Sequence, residues 1–276
     1  KGKEFAVSDF CSRVTPVGRI LEEKDWYIWC CSPIYGEDGK PHVFFSRWPE
    51  FSTFDGWLTH SEIAHAVADK PEGPYTVLGT VLKGRGGSHF DGMTVHNPTV
   101  HKVGNEYAMF YSGTVDEKSS NQRLGLAMAS TLDGPWERVT VERPILEISA
   151  DKNDWDSVMM NNPALLLHPN GQYWLYYKSW DDRCKLRKVG LAIAENIRGP
   201  YIKYQGNPII DFEAVGSQVE DPYVFMENGL FHMISRDMGV ISDRMGMYQY
   251  STDGIRWSEP MLGYRTNADY FGEELQ

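Results

Sequence analysis

Asn97-Pro98-Thr99-Val100 opens the stretch that decides the fold. It continues through the turn Gly104-Asn105, an apolar run at 107–111, the alternating segment Leu124-Gly125-Leu126-Ala127-Met128-Ala129 and the corner Gly134-Pro135-Trp136. Read outward, the same order recurs along the chain. Polar-Pro openings stand at Ser32-Pro33, Asn162-Pro163 and Asp221-Pro222, and turn pairs follow at Asp38-Gly39, Asn170-Gly171 and Asn228-Gly229. Such pairs supply the positive φ that a two-residue hairpin needs. Second strands fall at 42–45, 173–177 and 230–234, and each is read as ending at a serine: Ser46, Ser112, Ser179, Ser235. Third strands follow, with Val189-Gly190-Leu191-Ala192-Ile193-Ala194 showing the large–small alternation of a strand packed on both faces. Gly73-Pro74-Tyr75 and Gly199-Pro200-Tyr201 repeat the corner, and 253–257 is a looser copy. Residues 62–68 have helical spacing of their own, but their place in the repeat makes them a third strand.

Units of about 60 residues with four strands each predict an all-β propeller. Four units are complete. Residues 1–30 are read as holding at least one more strand, and the tail after Pro260 is too short for a blade alone. The expectation is therefore a single domain over 1–276, a five-bladed β-propeller with four antiparallel strands per blade and an incomplete fifth blade.

Composition narrows the function. The chain has 276 residues and a net charge of −11, which argues against nucleic acid, whose phosphates call for clustered Lys and Arg. The longest apolar run, at 26–31, is far short of the ~20 residues a membrane helix needs. Cys11, Cys30, Cys31 and Cys184 include no C-x-x-C pair, so zinc has no support and free thiols are expected. The chain begins at Lys1 without Met and shows no signal peptide, which fits either a mature exported chain or a trimmed one.

In an up-and-down blade the start of strand one, the end of strand two and the start of strand three share one face. The connections on that face are long, at 48–60, 113–122, 180–188 and 238–246, and long loops on a rigid scaffold carry binding residues. The face collects Arg47, Trp48, His60, Glu62, His96, Asn97, Asn121, Arg123, Asn162, Trp180, Arg236 and Asp237, which are expected to bind substrate. Aromatic platforms with Asn, Arg and Asp suit a sugar, whose C–H faces stack on Trp and whose hydroxyls bond polar groups. Glycoside hydrolysis needs two carboxyl groups. Glu220 beside Asp221 is read as the general acid, because a neighbouring carboxylate raises its pKa. Asp91, before the second inner strand, is the candidate base, and Asp221 is a third catalytic candidate. His65 is read as core, and Trp26, Trp29 and Trp174 as packing between blades.

The phrases His60-Ser61-Glu62-Ile63-Ala64-His65-Ala66, His96-Asn97-Pro98-Thr99 and Glu220-Asp221-Pro222-Tyr223 resemble the five-bladed propeller glycosidases of glycoside hydrolase family 43 and its relatives in families 32, 62 and 117. The resemblance implies that Glu220 matches the acid of that family's Glu-Gly-Pro motif. Its two Asp-Pro motifs do not carry over, since Ser32, Asn97 and Asn162 stand there. What it implies is an exo-acting, inverting glycosidase of plant or algal polysaccharide, secreted or periplasmic, removing a pentofuranose or an anhydro- or deoxy-sugar. No cofactor is required, and the resemblance allows a calcium ion in the central channel. Two alternatives stay open: a non-catalytic carbohydrate-binding propeller, and a glycoside phosphorylase with Arg47, Arg123 and Arg236 at its phosphate.

Overall fold

The computed structural model describes residues 5–242 and 244–272. Sixteen strands form four four-stranded antiparallel sheets, each made from consecutive strands. Blade one holds β1 (Trp26–Tyr35), β2 (Pro41–Pro49), β3 (Glu62–Val67) and β4 (Thr76–Leu82). Blade two holds β5 (Thr94–Val103), β6 (Glu106–Thr114), β7 (Arg123–Ala129) and β8 (Glu137–Arg138). Blade three holds β9 (Met159–Leu167), β10 (Tyr173–Trp180), β11 (Lys188–Ala194) and β12 (Ile202–Lys203). Blade four holds β13 (Gln218–Glu227), β14 (Leu230–Met238), β15 (Gly246–Ser251) and β16 (Met261–Tyr264). Gly39, Gly104, Gly171 and Gly229 all take positive φ in the hairpin turns, as their sequence pairs require. Residues 62–67 are strand β3, so position in the repeat does override the local helical spacing there.

Three apolar layers join successive blades. Phe44, Ile63, Val95, Met109 and Trp136 fill the first, Phe110, Leu126, Leu165, Leu175 and Tyr201 the second, and Tyr176, Leu191, Val224, Phe231 and Met247 the third. The small residues of the third strands make room for the large ones of the second. A Cβ on Gly190 would sit 2.5 Å from the Trp155 ring and 3.0 Å from that of Tyr177. Inner strands β1, β5, β9 and β13 pack in succession, whereas β13 does not pack along β1 in the same way.

The structure has four blades, not five, among its described residues. Residues 1–30 were read as holding a further strand, but residues 26–30 are the first half of β1 itself. Among the described residues, the strand pairing of the N-terminal segment is a parallel bridge from Val7 to Leu262 on the outer edge of blade four, with helix α1 (Asp9–Arg13) against β16. Positions 1–4 lie outside the described residues.

Each inner strand breaks register once, at the same level, and the interruption holds a residue with positive φ: Cys30 at 51°, Asn97 at 51°, Asn162 at 49° and Asp221 at 53°. Asn and Asp tolerate this left-handed conformation better than most side chains. The bulge inserts an extra residue and so re-aims the side chains around it. It also corrects the alignment of the first repeat. Trp29 pairs with Ser46 as His96 pairs with Ser112, so Cys30-Cys31, not Ser32-Pro33, is the counterpart of Asn97-Pro98. In blades three and four the counterparts of Ser46 and Ser112 are Lys178, opposite Asn161, and Arg236, opposite Glu220. The serines at 179 and 235 fall one place to either side. Hydroxyls at Ser46 and Ser112 accept the backbone N–H of Asn97 and Asn162, tying each blade to the next at the bulge.

Candidate active site

A cavity of about 320 Å³ lies at this level of the channel. The bulges deliver His96 with Asn97, Asn161 with Asn162, and Glu220 with Asp221, while Trp29 comes from blade one. Lys178, Trp180, Arg187 and Arg236 line it from blades three and four. The long connection after β2 folds over it as short 3₁₀ turns and helix α2 (Trp57–His60), contributing Phe54 and Trp57. One wall is aromatic. The Trp29 ring lies 5.5 Å from Phe54 and 6.5 Å from Trp48, and Trp57 meets His96 edge-on at 5.3 Å.

The opposite wall is ionic. Glu220 accepts from Lys178 Nζ at 2.8 Å and from Arg236 at 3.0 Å, with Arg187 Nε 3.3 Å away. Burial pushes its carboxyl up, but Lys178 first, and then Arg187 and Arg236, outweigh that and hold it below the usual glutamate range. Asp221 behaves oppositely. Enclosure by the protein raises its pKa, the Glu220 charge adds to that, and Lys178, Arg236 and the amide of Asn162 only partly oppose it. The sequence reading assigned the raised carboxyl to Glu220; the structure reverses the pair, because both strands flanking Glu220 supply cations.

Hydrogen bonds also fix the polar floor. Gln122 donates its amide N–H to the Ser119 carbonyl at 2.9 Å, so its Oε1 faces the channel and accepts from Asn161 Nδ2 at 2.6 Å. That oxygen lies 2.9 Å from His96 Nε2, which must therefore carry the ring proton. Burial pushes the His96 imidazolium down to about 4, so the ring is neutral and Nδ1 is a bare acceptor. His96 Nδ1, Asn161 Oδ1 and Asn162 Oδ1 are buried without a protein partner. Each awaits a donor such as a sugar hydroxyl or water. This floor does not fit calcium, which takes six to eight oxygens with carboxylates among them. The acids here are Glu220, already bound to three cations, and Asp221, driven toward its neutral form.

Of the sequence-predicted residues, Trp48, His96, Asn97, Asn162, Trp180, Glu220, Asp221 and Arg236 line the cavity. The others do not. Asp91 has no exposed surface and is held by Arg85 at 2.6 Å, Arg138 at 2.7 Å and the Tyr111 hydroxyl at 2.8 Å. It is a buried support of blade two and is withdrawn as base. Asp156 repeats this on Tyr177 and Lys203 in blade three. Arg47 is spent on Glu23, Glu62 and Thr80, which removes both Arg47 and Glu62 from the site. Asn121 bonds Asp116, Arg123 bonds the carbonyls of Ser120, Gln122 and Val158, and His60 bonds Thr59. Asp237 accepts the backbone N–H groups of Gly239, Val240, Ile241 and Ser242, shaping the loop after β14.

Sequence reasoning missed Lys178 and Gln122 and placed Trp29 between blades. A lysine directly after the apolar run at 173–177, within the strand, was the available signal for Lys178; Trp29 was misplaced with the register of its repeat. Trp26 was expected between blades but lies under the Arg47 guanidinium of its own blade at 4.2 Å, whereas Trp174 does pack between blades three and four, with Phe231 at 6.2 Å. His65 is core, 1% exposed and stacked on Phe44 at 4.4 Å. All four cysteines are free thiols, with Cys11 buried and Cys31 exposed.

Solved structures share this architecture. Zg3597, a family 117 glycoside hydrolase from the marine bacterium Zobellia galactanivorans, superposes with a TM-score of 0.72 over 88% of this chain and 72% of its own, at 18% identity. An endo-1,4-beta-xylanase from Bacteroides thetaiotaomicron gives 0.62 over 89% and 79%, also at 18% identity. A thermostable family-43 glycoside hydrolase gives 0.61 over 87% and 78%, at 17% identity. The fold is the propeller that these family-117 and family-43 glycoside hydrolases share. No protein family's profile matches the chain. In sequence, this propeller is similar to the probable arabinan endo-1,5-alpha-L-arabinosidase A of Aspergillus flavus, 28% identical over 134 residues. That match takes in 47% of the chain and only 39% of the relative's length. No described helix is long and apolar enough to cross a membrane.

Proposed function

We propose that this protein is a glycosidase that releases a terminal sugar from plant or algal polysaccharide, with Asp221 as general acid and Glu220 as its ionised partner. The observation that carries the reading is the pair itself: two carboxyl groups at one cavity, one driven toward its neutral form and the other held charged. Divergent pKa values are what separate acid from base in such sites. Asp221 protonates the glycosidic oxygen as the bond to the anomeric carbon breaks. Glu220 either deprotonates the attacking water or attacks the anomeric carbon directly; inversion, the expectation from the resemblance, selects the first. Trp29 and Trp57 offer stacking faces, and the three buried acceptors receive hydroxyls. The volume lies at the low end of the ~300–1,000 Å³ typical of small-molecule pockets, which suits a terminal sugar better than a long chain. Polymers of this kind are met outside the cytoplasm, so a secreted or periplasmic location goes with the proposal.

Aryl glycosides with good leaving groups test the roles, because they need little acid assistance. Asp221→Asn should keep most activity on a dinitrophenyl glycoside and lose it on an oligosaccharide; Glu220→Gln should lose both, with unchanged melting. Equal loss by the two variants on both substrates would remove the assigned division of labour.

A second reading, a non-catalytic sugar-binding propeller, is favoured by one feature. Glu220 and Asp221 are chain neighbours on a single strand, and the facing aromatic wall supplies no acid among the described residues. Saturable sugar binding without turnover of any activated glycoside would select it. The phosphorylase reading keeps only Arg236 of its three proposed arginines in the cavity.

A further inference from the structure

Charge counting at the cavity shows an imbalance. The chain as a whole is acidic, at −11, yet Lys178, Arg187 and Arg236 converge on one carboxylate. Glu220 can neutralise one of three positive charges. Asp221 adds at most one negative charge and is driven toward its neutral form, and His96 is neutral. Asp237, the next residue along β14, turns to the opposite face of the strand and is closed off by four backbone N–H groups. Among the described residues the cavity therefore keeps a surplus of one to two positive charges in either state of Asp221.

That surplus sits on groups with donors to spare. Arg236 is 40% exposed in its side chain and, among the described residues, gives one hydrogen bond, NH1 to Glu220 Oε1. Arg187, 27% exposed, uses Nε toward Glu220 and NH1 on Gln218 at 2.9 Å. Its guanidinium lies 5.0 Å over the Trp180 ring, an arrangement that fixes its plane. Lys178, almost fully buried, serves Glu220. A site that only had to hold Glu220 ionised would not need two further guanidinium groups open to the cavity.

The geometry points to an anionic substrate: the sugar taken here carries an oxyanion, a uronate carboxylate or a sulfate ester, bound by Arg236 and Arg187. This rests on the sugar-cavity reading above and adds the substrate class to it. Guanidinium groups bind such planar or tetrahedral oxyanions through paired N–H donors, and a charge-assisted bond of this kind is worth about a tenfold to a hundredfold in affinity.

The test is a calorimetric panel of methyl glycosides, each offered as the neutral sugar, its uronate and its 6-sulfate, with inorganic sulfate and phosphate as controls. At least one uronate or sulfate should bind about tenfold or more tightly than its neutral parent, and which of them does so identifies the oxyanion. Arg236→Gln and Arg187→Gln should each erase most of that preference, while Arg236→Lys, which keeps the charge but not the fork, should retain part of it. Melting temperatures within a few degrees of the parent establish that each variant is folded. Equal binding of neutral and charged forms overturns the proposal, as does a preference that survives both Gln variants, or competition by inorganic anions with no difference among the sugars. The outcomes separate the two readings. Turnover of neutral glycosides without anionic preference sinks this inference and leaves the hydrolase, whereas tight uronate binding without turnover keeps the inference and sinks the hydrolase.

Discussion

Replacing Lys178 with Met tests the electrostatic heart of the site while keeping most of the buried stem. Lys178 Nζ lies 2.8 Å from Glu220 Oε2 and also lowers the pKa of Asp221. Two unit charges ~4 Å apart attract by about 4 kcal/mol at an effective dielectric constant near 20. Part of this returns because the ammonium no longer has to be desolvated, and Arg187 and Arg236 still face Glu220. A net effect of about 1–3 kcal/mol on each carboxylate remains, which is about one to two pH units at ~1.4 kcal/mol per unit. The direction follows from the charge. Losing a cation disfavours both ionised carboxyls, so both pKa values rise. If Glu220 must be ionised and Asp221 protonated, the acidic limb of kcat/KM moves up with the first and the alkaline limb with the second. The whole bell should shift to higher pH by about one to two units, not merely shrink. The assay is the pH profile of kcat/KM on an oligosaccharide, whose poor leaving group needs the acid, for the parent, Lys178→Met and Lys178→Arg, with urea unfolding at matching pH. Lys178→Arg should restore most of the profile. A folded Lys178→Met whose two limbs stay within about 0.3 unit of the parent would refute the argument.

Asp91→Asn should destabilise by about 3–5 kcal/mol in urea unfolding, because Arg85 and Arg138 lose their shared buried carboxylate; kcat of the folded fraction should be unchanged, and a loss of kcat at full folding would restore Asp91 to catalysis. Gly190→Ala should cost about 1–3 kcal/mol, since its Cβ would enter the space of the Trp155 and Tyr177 rings, and a neutral result would mean that blade three repacks freely. Burial pushes His65 and His96 down to about 4. Unfolded chains bind those protons from pH ~6.5 downward and the folded protein does not, so stability should fall as pH drops from ~6.5 to about 4, by up to about 3 kcal/mol per histidine. His65→Phe, tested by unfolding at pH 7 and pH 5, should flatten part of that slope; an unaltered slope would show that His65 is not a source of it.

Blade order, strand order and hairpin positions were legible in the chain because they rest on local chemistry. Period-two alternation marks a strand, and Asp38-Gly39 or Asn228-Gly229 marks a turn, wherever the segment later packs. Local reading failed where two stretches compete for one role. Ser32-Pro33 was read as opening the first inner strand, but pairing of Trp29 with Ser46 makes Cys30-Cys31 the counterpart of Asn97-Pro98 and brings Trp29 into the cavity. The fifth blade was an inference from the same misplaced start.

By itself, then, the sequence determined a ring of four-stranded units and the Glu220-Asp221 pair at the mouth of one of them. Only the tertiary structure decided what each acid does. Asp91 and Glu220 look alike in the chain, each at the entrance to an inner strand. Asp91 meets Arg138 from blade two's outer strand and leaves the surface altogether, while Glu220 meets Lys178 from the neighbouring blade and stays at the cavity. A carboxyl's proton affinity is set by charges within a few ångströms, and those charges come from residues tens of positions away.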